Sequence, residues 1–363
     1  MSDFARWHLP DRGRREKILM ADVVRVSEDV LAEAVGAYLR SAGVGDMDVA
    51  STVRALMHAS RIGVDSHGVR LAPYYVAEIR KGRMKVDPKR VLTQGGLCTA
   101  LLDADHGLAH GASYMAVNEA ISRARNFGVG AVGVCNSTHF GAAGAYAIEA
   151  AMQGMIGFAT CNAESLVKLF GGKYAFHGTN PLAFAAPVPG GGLPWLMDMA
   201  TSSVPFNRVL LYRSLGTSLP YGVAVDREGV QTCEANDAVC LQPLGGPDFG
   251  FKGAALAGMA TVLSAVLTGA AMDPDIASDI AAEHGQGRAN IGHFFLVLNP
   301  EYFIGRTGYE AAMERYLSAV RGAVPMDDGS PIMVPGDREW REAEHRRELG
   351  IPVDPDTARA LSL

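Results

Sequence analysis

The sequence contains no CxxC pair, and its five cysteines (Cys98, Cys135, Cys161, Cys233 and Cys240) are odd in number and scattered. That spacing argues against a structural zinc site and against a disulfide framework, so no metal is expected. It also suggests a reducing, cytoplasmic compartment. An excess of basic charge is lacking too: the formal net charge is −6 over 363 residues, which implies neither a nucleic-acid partner nor an anionic membrane surface. Residues 1–19 are polar and basic without an apolar core, so they do not read as a secretory leader. A disordered or extra tail over 1–23 is expected. One stretch, 253–272, runs without charge for the length of a membrane span. It is rich in Gly, Ala, Ser and Thr, so a helix buried in a soluble core is expected and no membrane partner. No solenoid repeat and no GxSxG nucleophile elbow is present.

What is present is a large apolar fraction, 48%, with 42 glycines. This suits a loop-rich α/β chain with a sizeable core and two or three domains. Helical periodicity covers 27–62, broken at Gly43 and Gly45, then 73–81, 110–126, 141–153 and 254–268. Strand-like runs occupy 91–103, 129–135, 155–161, 182–187, 195–199 and 293–298. The polar run 285–290 reads as a mobile loop. Gly128-Val-Gly130-Ala-Val-Gly133 spells GxGxxG. A dinucleotide fingerprint must follow a strand and open a helix, whereas these glycines follow a helix and lie in a strand-like run. They are read as a decoy.

Three polar clusters carry chemistry. Asp65-Ser66-His67-Gly68-Val69-Arg70 places a hydroxyl, an imidazole and a guanidinium in a loop after a helix, where function tends to lie. The second is Ser137-Thr138-His139-Phe140-Gly141-Ala142-Ala143-Gly144, and the third is Met197-Asp198-Met199-Ala200-Thr201-Ser202. Together they supply a proton donor, an anion clamp and a carboxylate to orient a histidine, the set that a hydride-transfer enzyme acting on a small carboxylate needs. His67 suits the proton donor because imidazole titrates near neutral pH. His139 is the second candidate, with positioning of substrate or cofactor as its alternative. Arg70 suits the clamp through paired hydrogen bonds, with a surface ion pair to Glu78 or Asp65 as its alternative. Tyr74 lines the same pocket or packs in the core. Asp198 orients His67 or caps a helix starting at Thr201 or Ser202. Lys252 suits a phosphate or is a solvated surface lysine.

The motifs Asp65-Ser-His-Gly-Val, Thr138-His-Phe-Gly-Ala-Ala-Gly, Gly178-Thr-Asn-Pro181, Asp198-Met-Ala-Thr-Ser202, Phe251-Lys-Gly253, Gly292-His-Phe-Phe and Pro335-Gly336 occur in that order. With them the chain resembles the type-2 malate/L-lactate dehydrogenase family from about residue 24 to the end. That family also contains ureidoglycolate dehydrogenase, diketogulonate reductase, sulfolactate dehydrogenase and piperideine-2-carboxylate reductase. The resemblance implies an α/β (α+β) fold that is not a Rossmann fold: a largely antiparallel central sheet flanked by helices, binding NAD or NADP. It implies a helical substrate and dimer-interface part over 24–130 plus 306–363, a cofactor-binding domain over 131–305, and a homodimer.

The resemblance also assigns roles. His67 acts as acid with Ser66, Asp198 and, in second place, His139. Arg70, Tyr74 and Thr179 hold a small carboxylate substrate. Asn162, Ala163, Gly178, Asn180, Pro181, Met197, Asp198, Met199, Lys252, Gly336, Asp337 and Arg338 match cofactor contacts or their neighbours. The implied activity is hydride transfer between nicotinamide and C2 of a malate- or lactate-like acid. A cyclic-imine reductase and a non-catalytic ligand-binding paralogue are the alternatives. Three departures stand out: Ser203-Val-Pro-Phe-Asn-Arg208, a longer loop at Gly246-Pro-Asp-Phe-Gly250, and His177 where an apolar residue is common. Arg208 and Arg213 are candidate cations for a 2′-phosphate. Neither decides the matter, and the reading leans to NAD.

Overall fold

The computed structural model describes residues 23–276, 287–326 and 331–363. The tail expected over 1–23 lies outside the described residues apart from Val23, as do Gly285 and Gln286 of the expected 285–290 loop. The chain begins with β1 (Val24–Val26), α1 (Glu28–Ser41), α2 (Asp46–Arg61) and α3 (Ala72–Arg80). In α1, Leu31, Val35 and Leu39 recur at four-residue spacing and are fully buried, so one stripe faces α2 and α3. Strand β1 pairs with β14 (Ile351–Val353), and α10 (Pro355–Leu361) packs into the same cluster. The C-terminal segment therefore closes the N-terminal helical layer.

The centre of the molecule is a seven-stranded sheet in the order β2-β3-β4-β13-β5-β8-β9. Its strands are β2 (Val91–Gln94), β3 (Thr99–Asp103), β4 (Val129–Ser137), β5 (Ile156–Cys161), β8 (Leu182–Ala186), β9 (Trp195–Met199) and β13 (Ile291–Leu298). Only β3 and β4 pair in parallel, and every other neighbouring pair in it is antiparallel. The single strand read over 91–103 is thus a hairpin that turns at Gly95 and Gly96. Helices α4 (Ala109–Phe127) and α5 (Gly144–Ala151) pack alanine-rich faces on this sheet. Strands β2 and β3 belong to the same sheet as the later strands, and a boundary at 130 would cut β4 two residues in.

A smaller sheet, β11-β10-β12-β6-β7, is built from β6 (Val167–Lys168), β7 (Ala175–His177), β10 (Ala224–Val225), β11 (Gln231–Thr232) and β12 (Cys240–Leu241). It encloses its own core with α6 (Phe206–Ser214). Helix α7 (Phe251–Thr261) widens into a π turn over Val262–Val266, short of the regular helix expected to 268. Nor is the segment wholly buried, because Met259, Val262, Val266 and Leu267 are exposed. Among the described residues no helix is long and apolar enough to cross a membrane. Beyond a single short turn of helix at Gly246–Phe249, the other helices among the described residues are α8 (Gly305–Arg321) and α9 (Asp337–Leu349).

The GxGxxG run is a packing device. Gly128 ends α4 in the left-handed region at φ 83°. Gly130 lies inside β4, where a Cβ would overlap the Ala120 carbonyl oxygen. Its bare backbone lets α4 lie close to the sheet. Gly130→Ala should therefore lower stability by about 1–3 kcal/mol through overpacking while the folded fraction keeps its cofactor affinity. Urea denaturation and a cofactor titration read the two quantities. Weakened cofactor binding at undiminished stability would return the motif to a phosphate-binding role.

Candidate active site

Helix α2 ends at Arg61, and the chain turns through Gly63 into a short 3-10 turn, Asp65–His67. Asp65 fixes this turn. Its two carboxylate oxygens accept from Arg346 on α9 at 2.5 and 2.9 Å, and Arg346 also donates to the Ser60 carbonyl at 2.7 Å. Ser66 and His67 follow on the cleft side, with Ser66 Oγ 2.9 Å from His67 Nδ1. The second segment leaves β4 at Ser137 and brings His139 over His67. Their ring centroids lie 5.8 Å apart with an interplanar angle of 25°. Tyr75 places its hydroxyl 2.8 Å from His139 Nδ1, and the exposed Tyr74 meets the same ring edge-on.

These groups line a cleft of about 510 Å³. Ser66, His67, Thr138 and His139 supply polar wall, while Leu166, Pro181, Met199, Phe206 and Leu210 supply apolar wall. Both histidines are shifted towards the neutral form. Burial lowers His67, helped by the charge of Arg70, and burial followed by the neighbouring His67 pushes His139 down to about 3. Asp198 is pushed up to about 6 by burial, against the pull of the hydrogen bond it accepts from Gly144.

Several expectations are corrected by these contacts. Asp198 does not orient His67 among the described hydrogen bonds. It accepts from the Gly144 N–H at 2.7 Å and so caps α5, and no helix begins at Thr201 or Ser202. Arg70 is exposed and off the cleft wall, because the 3-10 turn Val69–Leu71 rotates each successive side chain by a third of a turn and brings Leu71 inward. It pairs with neither alternative partner: Asp65 is held by Arg346, and Glu78 by Lys81 and Arg83. The guanidinium on the cleft wall is that of Arg83.

Ala163, Thr179, Pro181, Asp198 and Met199 line the cleft as expected residues, but Met197 does not. Asn162 and Asn180 are fully buried, with their amides occupied internally. They build the wall and do not face the cleft. Gly336, Asp337 and Arg338 open α9 away from this wall: Asp337 pairs with Arg321, and Arg338 is exposed beside Glu339. Lys252 is exposed in the first turn of α7, over the rings of Phe249 and Phe251. Arg213 is tied to the carbonyls of Ala235 and Ala238, so of the two candidate phosphate cations only Arg208 keeps an exposed head.

Besides Arg83, three residues escaped the sequence reading. Asp273 is completely buried and accepts from Asn180 at 2.7 Å, Asn162 at 3.0 Å, the Gly178 N–H at 3.0 Å and Thr261 at 3.1 Å. It lies 3.1 Å from His177 Nδ1, which accounts for the histidine in an apolar position. Burial pushes its carboxyl up, but the bonds from His177, Asn180 and their neighbours outweigh it and hold the pKa below the usual range. Arg346 stands in the run 341–348, in which every residue but Ala343 is polar or charged, and Tyr75 follows another tyrosine. Neither pattern distinguishes a site residue from a surface or core one.

The family model described as malate/L-lactate dehydrogenase matches residues 26–362. The chain belongs to that family. Malate dehydrogenase of Pyrococcus abyssi is 34% identical over 336 residues, covering 91% of each chain. The NADP(+)-dependent (2R)-3-sulfolactate dehydrogenase of Chromohalobacter salexigens is 35% identical over 332 residues, covering 90% of this chain and 95% of that one. The crystal structure of malate dehydrogenase from Entamoeba histolytica matches with a TM-score of 0.87 at 27% identity, over 94% of this chain and 96% of that one. As a malate/L-lactate dehydrogenase family member, the chain is an oxidoreductase of a family acting on 2-hydroxy acids.

In this dehydrogenase the histidine turn depends on Arg346. Arg346→Met should lower stability by about 2 kcal/mol, because the half-exposed Asp65 can recover water while the Ser60 carbonyl loses its donor. Urea denaturation measures this. A loss within about 0.5 kcal/mol, the range of ordinary surface substitutions, would show that α9 does not hold the turn.

Proposed function

We propose that the chain is an NAD(P)-dependent oxidoreductase that interconverts a small 2-hydroxy acid and its 2-oxo acid, with His67 exchanging the proton at the substrate oxygen. The observation that carries this reading is the hydroxyl of Ser66 at Nδ1 of His67. A serine hydroxyl donates to a bare ring nitrogen and accepts from a protonated one. When Nε2 gives up its proton Nδ1 keeps one, so the Ser66 hydroxyl accepts from Nδ1 in both charge states and holds the ring of an acid that gives and regains a proton. The neighbouring His139, held near 3, stays neutral at neutral pH.

The cleft suits the cofactor by the chemistry of its lining: apolar side chains offer a face for a flat ring, and the imidazoles supply the polar side. Met199, Pro181 and Ala163 would contact the nicotinamide end, which carries the hydride when bound. Lys252, exposed at the start of α7, would meet phosphate. With Arg213 tied to the carbonyls of Ala235 and Ala238, a 2′-phosphate would find only one of the two candidate cations, Arg208, and the reading leans to NAD. The enzyme is proposed to work as a cytoplasmic homodimer, a reading supported by the exposed apolar side chains of Met259, Val262, Val266 and Leu267. In this mechanism His67 holds the proton opposite the developing alkoxide. Asp198, pushed up to about 6 by burial, keeps α5 in place beneath the cleft.

The test compares two alanine variants. His67→Ala should lower turnover by about a hundredfold or more with little change in cofactor affinity. Reduction needs His67 protonated, so kcat/KM for the 2-oxo acid should fall as pH rises through a pKa below the usual value of about 6.5. Oxidation of the hydroxy acid should show the opposite slope. His67→Ala should erase this limb and His139→Ala should keep it. Abolished turnover in His139→Ala, with His67→Ala nearly active, would transfer the acid role to His139.

A further inference from the structure

Two groups converge on Nδ1 of His139: the Tyr75 hydroxyl at 2.8 Å and the Gly141 backbone N–H at 3.4 Å. Gly141 sits at φ 76°, a conformation that favours glycine. A backbone N–H can only donate, so Nδ1 must present a lone pair to it. A neutral imidazole with an accepting Nδ1 carries its proton on Nε2. Nε2 has no hydrogen-bond partner among the described residues, and His139 lines the cleft.

We propose that Tyr75 is a positioning residue which, together with the Gly141 N–H, locks His139 as the neutral Nε2–H imidazole, so that His139 offers the substrate one fixed hydrogen-bond donor and leaves proton exchange to His67. The surroundings agree. Tyr75 is fully buried, packed edge-on against His110 at 4.8 Å, and burial raises its phenol well above the usual value, which keeps its O–H available to donate. The titratable groups around His139 are His67, His110, His293, Tyr74 and Tyr75. Burial pushes His110 and His293 down to about 3, so neither brings a positive charge at neutral pH. A charge on the stacked His67 would further oppose one on His139.

The arrangement has a consequence for specificity. The substrate atom that meets Nε2 must be an acceptor, such as a carbonyl or carboxylate oxygen. A protonated imine nitrogen at that point would set two N–H groups against each other. If the reacting double bond is what meets Nε2, this favours a 2-oxo acid over a cyclic iminium carboxylate, and it rests on the oxidoreductase reading above.

Two-bond proton–nitrogen correlation spectra of the full-length protein, labelled with [15N]histidine, read the tautomer directly. His139→Gln assigns the signal. His139 should show an unprotonated Nδ1 and a protonated Nε2 throughout the range of about pH 5 to 8 in which ordinary histidines titrate. Tyr75→Phe leaves only the long Gly141 contact at 3.4 Å, so both tautomers should appear, and KM for the 2-oxo acid should rise about tenfold, the worth of one hydrogen bond, while the pH limb set by His67 stays in place. A protonated Nδ1, or an imidazolium forming in that range, would overturn the proposal in the wild-type protein alone. An unchanged tautomer and KM in Tyr75→Phe would remove Tyr75 from the role. Absence of any oxo-acid turnover would count against the oxidoreductase reading and leave the tautomer result standing.

Discussion

Desolvation of imidazole is the constraint on which the rest of this structure depends. His67 and His139 are stacked at 5.8 Å in a cleft that burial has made hostile to positive charge. A buried ring nitrogen left without a partner costs about 1–3 kcal/mol, so each Nδ1 is given one. Ser66 serves His67, and Tyr75 with Gly141 serves His139. The partners differ in kind. A hydroxyl on a short turn can reverse its role, whereas a backbone N–H cannot.

Two supports hold these rings at their positions. Asp65 and Arg346 clamp the histidine turn to α9, an element more than 280 residues away in sequence. On the other side, Asp273 gathers Asn162, His177, Gly178, Asn180 and Thr261 into one buried node behind Ala163 and Pro181. Asp198 completes the frame by capping α5, and only a glycine at 144 lets it approach so closely. A site of this kind is precise because its supporting hydrogen bonds are fixed by elements of the sheet and its flanking helices.

Much of the frame was legible in the sequence because periodicity survives folding. The stripe Leu31, Val35 and Leu39 marked α1, the position of GxGxxG after a helix excluded a phosphate loop, and the Ser66-His67 and Thr138-His139 motifs do meet in one cleft. Orientation was not legible. Arg70 and Leu71 are adjacent, and only the 3-10 turn decides which faces inward. Asn162 and Asn180 look like ligands in sequence, but their partner Asp273 is about a hundred residues away and fully buried. Arg346 looked like one solvated charge among many. Long-range pairing of polar groups leaves no periodic trace, so these contacts could be seen only in three dimensions.

The central claim is that this cleft places a hydride on C2 of a 2-oxo acid. The most direct measurement uses reduced nicotinamide cofactor carrying deuterium at its transferable position, together with a panel of small 2-oxo acids. Proton and deuterium NMR of the product then locate the label. The account predicts a 2-hydroxy acid with one deuterium at C2 and an oxygen-bound proton drawn from solvent. Oxidised cofactor accompanied by product without deuterium at C2, or no turnover of any acid in the panel by the folded protein, would contradict it.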